Sequence, residues 1–230
     1  MSESEPTDIF VPTKQEQNIE LQTDSISPEN FNEVKSILST FFKTKPYDEF
    51  LFEMADQMSQ LAESTDIIQT DGSVVGFCSS VPLKLLPECK FVQHFIKVIS
   101  KFNKPEFIIK NNVHLVFNLK YLNLPTDVSI QLYDSMLENE KWTQSKEYNA
   151  VVYPAEFFKA DYYVIFSKCK ADKAGKPDFD TGYHMEFLEF KKAATKIEFV
   201  ESQLFDAEFK FNVFLVIEKQ KLAKEIKQLK

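Results

Sequence analysis

The sequence predicts a single α/β (α+β) domain whose mixed, mostly antiparallel sheet is flanked by helices. Three observations carry this. Residues 113–142 read as strand, turn and helix in that order: Val113, Leu115 and Phe117 alternate with His114, Val116 and Asn118, then Asn123-Leu124-Pro125 stops the strand. Val128, Leu132, Tyr133, Met136 and Leu137 follow at helical spacing, so a helix runs from about Pro125 to Lys141. Upstream, Ser64–Thr70 and Val74–Val81 flank Asp71-Gly72-Ser73, and Asp-Gly suits the positive φ angles of a tight hairpin turn. Finally, 230 residues are enough to bury a substantial core, and the 23 phenylalanines against one tryptophan and 4 glycines make phenylalanine its main filling.

In chain order, residues 1–17 are polar, carry Pro6 and Pro12, lack periodicity, and read as a disordered acidic tail; residues 18–230 form the domain. Ile19 and Leu21 mark a first short strand. Ser27-Pro28-Glu29 then supplies an N-cap, a proline at the first helical position and an acid facing the helix dipole. Phe31, Val34, Ile37, Leu38, Phe41 and Phe42 give one apolar stripe that ends at Lys45-Pro46. A second helix spans about Tyr47–Ala62, with Phe50, Leu51, Met54, Met58 and Leu61 on one face. In the hairpin, Val75, Phe77 and Ser79 are expected to share a face. Phe91, Val92, Phe95, Ile96, Ile99 and Phe102 describe a third helix, ending before Pro105. After the central strand and helix, Val151, Val152 and Ala160–Ser167 have β-propensity, with a strand at Tyr162–Ser167 buried on both faces. Ala171–Gly182 is a loop, His184–Ala194 a weak helix or strand, and Ile197, Phe199 and Phe209–Ile217 the last two strands. A lysine-rich helix closes the chain, with Leu222, Ile226 and Leu229 on one stripe.

Charge and composition narrow the function classes. All 27 basic residues are lysines, so no guanidinium fork is available to grip phosphate or guanine. The net charge is -8, and residues 210–230 are themselves basic, so the rest of the chain is more acidic still. Such a body repels nucleic acid and attracts basic protein. No apolar run reaches the length of a membrane span, and the polar N-terminus is unlike a secretory signal. Cys78, Cys89 and Cys169 are odd in number and widely spaced, as expected of small core residues in a reducing compartment. The expectation is a monomer that binds neither nucleic acid nor membrane directly.

Catalytic and metal constellations are not found. His184-Met185-Glu186 has the H-x-E spacing of a zinc deaminase but lacks the P-C-x-x-C that must follow. His94 sits among Phe91, Phe95 and Val98, and His114 lies in a strand; both read as structural. Cys78, in an apolar strand without a cationic neighbour, reads as an inert buried thiol. Gly72-Ser73-Val74-Val75-Gly76 is neither a nucleophile elbow nor a P-loop. The segment with most to offer a basic partner is the acidic loop region of Asp172, Asp178, Asp180, Glu186 and Glu189.

The order strand, helix, helix, hairpin, helix, strand, helix, strands resembles a GCN5-related acetyltransferase. Such enzymes hold the acetyl-CoA pyrophosphate at a glycine-rich turn before a helix. The corresponding place is expected at Val81–Pro87, which has no glycine and two prolines without N–H, so no cofactor is expected. Ile67-Ile68-Gln69-Thr70-Asp71, Val75-Gly76-Phe77 and residues 113–137 with their Asn-Leu-Pro hinge, taken together, resemble the BCCIP family. That family is named for interaction with a breast-cancer-susceptibility protein and a kinase inhibitor. The similarity reaches Ile19–Phe42, Tyr162–Ser167 and Glu186-Phe187; the short acidic tail and the short link before Val75 depart from the family pattern. The resemblance implies a non-catalytic, acetyltransferase-like nuclear protein with a cytoplasmic pool, a dedicated escort of a basic large-subunit ribosomal protein of the L-fourteen type in ribosome biogenesis and nuclear transport. It also admits an adaptor in DNA repair and cell-cycle control, while the fold alone leaves open an acetyltransferase-like enzyme.

Overall fold

The computed structural model describes residues 21–42, 48–84, 86, 88–121, 124–149, 153–178, 186–201 and 209–230. The tail at 1–17, Ile19 of the expected first strand, and Val151 and Val152 lie outside them. Strand β1 (Gln22–Ser25) is followed by a 3-10 turn at Pro28–Asn30, where the Ser27 backbone N–H donates to Asn30 Oδ1 at 2.9 Å, and then by α1 (Phe31–Phe42) and α2 (Asp48–Gln60). The Asp-Gly hairpin joins β2 (Thr65–Thr70) to β3 (Ser73–Pro82), with φ at 49° for Asp71 and 74° for Gly72, as a tight right-twisting turn requires. Next come α3 (Lys90–Ile99), the short α4 (Pro105–Lys110), β4 (Val113–Lys120), α5 (Thr126–Thr143) and β5 (Tyr162–Ala171). The chain continues through β6 (Pro177–Asp178), α6 (Glu186–Ala193), β7 (Lys196–Glu201), β8 (Phe211–Glu218) and α7 (Lys219–Leu229). The expected third helix is α3, which stops at Ile99 short of Phe102, and Pro105 opens a further helix, α4. The weak segment before β7 is helical.

The sheet runs β1-β2-β3-β4-β5-β8-β7, with β6 paired to β5 off this path. Among the described residues every pairing is antiparallel except β4 with β5. Helices α1, α2 and α3 cover one face, burying Val34, Phe42, Met54 and Phe95 against Phe117, Phe166 and Phe214 of the strands. Helices α5, α6 and α7 cover the other, where Leu132, Met136, Phe190, Leu222 and Ile226 meet Val116, Ile165 and Leu215. Phenylalanine fills the first layer as its abundance suggests: Phe166 lies with ring centroids 5.0 Å from Phe95, 5.2 Å from Phe214 and 5.5 Å from Phe117.

One face assignment changes. The β2–β3 register places Ile68 opposite Gly76 but Gln69 opposite Val74, so Val75 is an extra, bulged residue. A bulge reverses the alternation on one side of it. Val74 and Phe77 belong to the first core, whereas Val75 packs with the second. Val75 therefore does not share the face of Phe77 and Ser79. Gly76 is required at this step, because a Cβ there would sit 3.0 Å from Lys120 Cβ and 3.1 Å from the Leu119 carbonyl oxygen.

Candidate partner-binding site

In a sheet with helical crossovers, the N-terminus of the helix that leaves a parallel strand is the natural seat for phosphate. Among the described residues the only parallel pair is β4 with β5, matched from Val113 opposite Tyr162 to Val116 opposite Ile165, after which the strands continue without ladder pairing to each other. The crossover between them contains α5, so the cofactor-turn position is Tyr121–Pro125 and not Val81–Pro87 as the sequence order suggested. Val81 and Pro82 end the antiparallel β3 instead. In sequence, Tyr121-Leu122-Asn123-Leu124-Pro125 also contains no glycine, and its proline lacks an N–H; Leu122 and Asn123 lie outside the described residues. Lys120 Nζ donates to the Pro125 carbonyl oxygen at 2.7 Å. Burial pushes the Lys120 ammonium below its ordinary pKa, opposed by the nearby charges of Glu186 and Asp127.

Around the divergence of β4 and β5 several side chains make contacts within the chain. Phe117 and Phe166 meet on the α1–α3 side. Lys168, only 1% exposed, donates to the Phe41 carbonyl oxygen at 3.0 Å and lies 4.8 Å and 4.4 Å from the ring centroids of Phe41 and Phe209. On the opposite side Asn118 Nδ2 donates to the Ser129 carbonyl oxygen at 2.9 Å.

The candidate acids disperse. Asp172 is exposed but is spent on its own turn, its Oδ1 accepting from the backbone N–H of Ala174 and of Lys176 at 2.8 Å each. Asp178 lies across that hairpin, opposite Lys170 in the β5–β6 pairing. Glu189 is on α6 and forms an ion pair with Lys192. Glu186 is buried, at 2% exposure, and so presents no carboxylate to a docked partner. Asp180 lies outside the described residues, as does His184 of the H-x-E triplet.

Other titratable groups serve the scaffold. Glu140 accepts from the Ala160 backbone N–H at 2.8 Å and from Lys219 Nζ at 2.6 Å through Oε1, and from the Tyr163 hydroxyl at 2.5 Å through Oε2. This ties α5, β5 and α7 together. Burial, aided by the Glu140 charge, holds the Tyr163 hydroxyl well above its ordinary pKa. The network borders an open cavity of about 590 Å³ lined by Asn111, Lys159, Asp161, Glu218 and Lys219 among others. Its charges are already engaged in part: Lys219 with Glu140, Glu218 with Lys221, and Asp161 Oδ2 with the Asn112 backbone N–H. His114 contacts Ser80 Oγ at 2.9 Å through Nδ1 and the Phe157 carbonyl oxygen at 3.0 Å through Nε2, and burial lowers its pKa to about 3. Burial also raises the thiols of Cys78 and Cys169, the latter to about 11. Among the described residues no group of three or more His, Cys, Asp or Glu is placed to hold a metal ion, and no helix is long and apolar enough to cross a membrane.

A fold with this strand order narrows the choice of relatives. The BCCIP family model matches residues 16–201, well over half the chain. The chain belongs to the BCCIP family. Among solved structures, the BCCIP chain is similar to BCP1 from Saccharomyces cerevisiae, at 22% identity and a TM-score of 0.71, covering 94% of this chain and 93% of that one. Two acetyltransferases share the fold at greater distance. One is an agmatine N-acetyltransferase mutant, with 7% identity, a TM-score of 0.54 and coverage of 86% and 99%. The other is a Drosophila melanogaster polyamine N-acetyltransferase, with 6% identity, a TM-score of 0.53 and coverage of 86% and 100%. No match is found among curated proteins. The acetyltransferase-like architecture is therefore present in a BCCIP-type chain, and such low identities carry no chemistry with them.

Proposed function

We propose that this BCCIP-family chain is a non-catalytic escort that binds one basic large-subunit ribosomal protein, of the L-fourteen type, and keeps it soluble on its way into ribosome assembly. Membership of the family is the observation that carries the reading. The net charge of -8 supports it, because an acidic body draws in a basic client and shields it from RNA. The protein works as a monomer, in the nucleus with a cytoplasmic pool, without cofactor, nucleic acid or membrane. Of the candidate contacts, Asp172, Asp178, Asp180 and Glu189 are retained, and neutralising the three aspartates weakens client binding and flattens its salt dependence.

Affinity purification followed by mass spectrometry tests the reading. The expected result is one stoichiometric ribosomal protein, with association slowed by salt. Recovery of repair or cell-cycle proteins without any ribosomal protein or large-subunit assembly factor would replace the escort with an adaptor. Calorimetry with CoA addresses the enzyme alternative: the glycine-free sequence Tyr121–Pro125 predicts no binding, and tight binding would overturn the non-catalytic reading.

A further inference from the structure

Phe52 on α2 is 51% exposed, one of three large hydrophobic side chains with such exposure among the described residues. Its ring meets Phe31 of α1 edge to face, with centroids 5.0 Å apart at 65°. Lys35 Nζ lies 5.4 Å from the Phe52 centroid and 6.0 Å from that of Phe31. The pair of rings thus already holds a cation, and among the described residues the Lys35 ammonium has no ion pair. Glu49 and Asp56 stand three residues before and four after Phe52 on α2, at helical spacing, and Glu49 also forms an exposed ion pair with Lys90 of α3 at 3.7 Å. Glu29 is exposed in the 3-10 turn beside α2. Residues 22–60 contain seven acids and three lysines.

We propose that the Phe31–Phe52 pair is a docking point for an arginine side chain of a basic protein partner, which displaces the Lys35 ammonium and is flanked by Glu49 and Asp56. This deepens, and rests on, the basic-partner reading above. A planar, weakly hydrated guanidinium stacks on aromatic faces better than an ammonium does, and the chain has no arginine of its own to compete. The acids select for positive charge, and the exposed ring distinguishes arginine from lysine.

The test measures binding of fluorescent octa-arginine and octa-lysine to the full chain by anisotropy. The wild type is expected to prefer octa-arginine. Phe52→Ala and Phe52→Leu are both expected to weaken octa-arginine binding about two- to five-fold, the scale of one exposed cation–π contact, while leaving octa-lysine nearly unchanged. Lys35→Gln is expected to tighten octa-arginine binding. Because Phe52→Leu keeps an apolar side chain, an equal loss with both variants assigns the effect to the ring. Unchanged arginine preference in both Phe52 variants would overturn the docking point. The purification experiment, repeated with Phe52→Leu, separates the two claims. A ribosomal protein retained equally by wild type and variant overturns the docking point and leaves the escort standing. A ring-dependent arginine preference without any ribosomal client leaves the docking point standing and removes the escort.

Discussion

Asp66 makes the stability of this fold depend on pH in a direction opposite to that of most carboxylates. It lies in β2 at 2% exposure, and both its oxygens accept from Asn139 Nδ2, at 2.8 and 2.9 Å. Burial raises its pKa from 3.8 to about 6, against the lowering effect of hydrogen bonds from Asn139 and Ser135, and the Asp24 charge adds to the rise. A group whose folded pKa is raised contributes stability that is complete below the unfolded value and is lost as pH rises through the folded one. A rise of about two pH units at about 1.4 kcal/mol each gives about 3 kcal/mol lost from this site between about pH 3 and pH 7. The perturbation that isolates it is Asp66→Asn, which keeps shape and an acceptor but cannot ionise. Urea unfolding followed by circular dichroism, at several values across that range, gives the difference in stability between variant and wild type. That difference is expected to move in favour of the variant by about 3 kcal/mol as pH rises. A difference that stays constant across the range would refute the assignment of a raised pKa to Asp66.

Three further outcomes follow from contacts already described. Glu140→Ala leaves the buried Tyr163 hydroxyl and the Ala160 N–H without their acceptor and Lys219 without its counter-charge, so a loss of about 3–5 kcal/mol is expected in urea unfolding, with a smaller loss for Glu140→Gln. Gly76→Ala pushes a methyl group to 3.0 Å from Lys120 Cβ and 3.1 Å from a backbone oxygen; a loss of about 1–3 kcal/mol is expected, read as a lower urea midpoint at unchanged slope. His114, with its pKa lowered to about 3, stabilises the fold above the ordinary histidine pKa and loses that contribution as pH falls through about 3. Long-range nitrogen NMR at pH 5 should therefore show a neutral ring protonated at Nε2, the nitrogen that donates to the Phe157 carbonyl oxygen; an imidazolium signal would count against it.

Local pattern carried most of the elements and little of their assembly. Phe31, Val34, Ile37, Leu38, Phe41 and Phe42 announced α1, and Asp71-Gly72 announced the hairpin, because helical spacing and turn chemistry are properties of neighbouring residues. The parallel relation of β4 and β5 is not legible in the sequence, since it depends on which strands meet across a crossover; the order of elements alone therefore points to Val81–Pro87 instead of Tyr121–Pro125. Simple alternation puts Val75 on the wrong face because a bulge inserts one residue without a sequence mark beyond the adjacent Gly76. Burial of Glu186, Glu140 and Lys168 was missed for a related reason: charge in sequence reads as surface, and their environments come from segments far away in the chain. Glu140 did carry a faint signal, since it falls on the buried stripe of α5 four residues after Met136. Phe52 carried none, being one phenylalanine among 23 until α1 and α2 pack.

The position of β8 bears on how the chain comes off the ribosome. It is made after β7, yet it lies between β5 and β7 and, among the described residues, supplies the one ladder that β7 has. During vectorial synthesis β7 thus emerges with no strand to join, and β5 presents an open hydrogen-bonding edge until residues 211–218 arrive to fill it. Sheet closure is a late event in such a chain, and a nascent polypeptide stalled near residue 201 holds an apolar, unpaired edge that invites pairing with other chains.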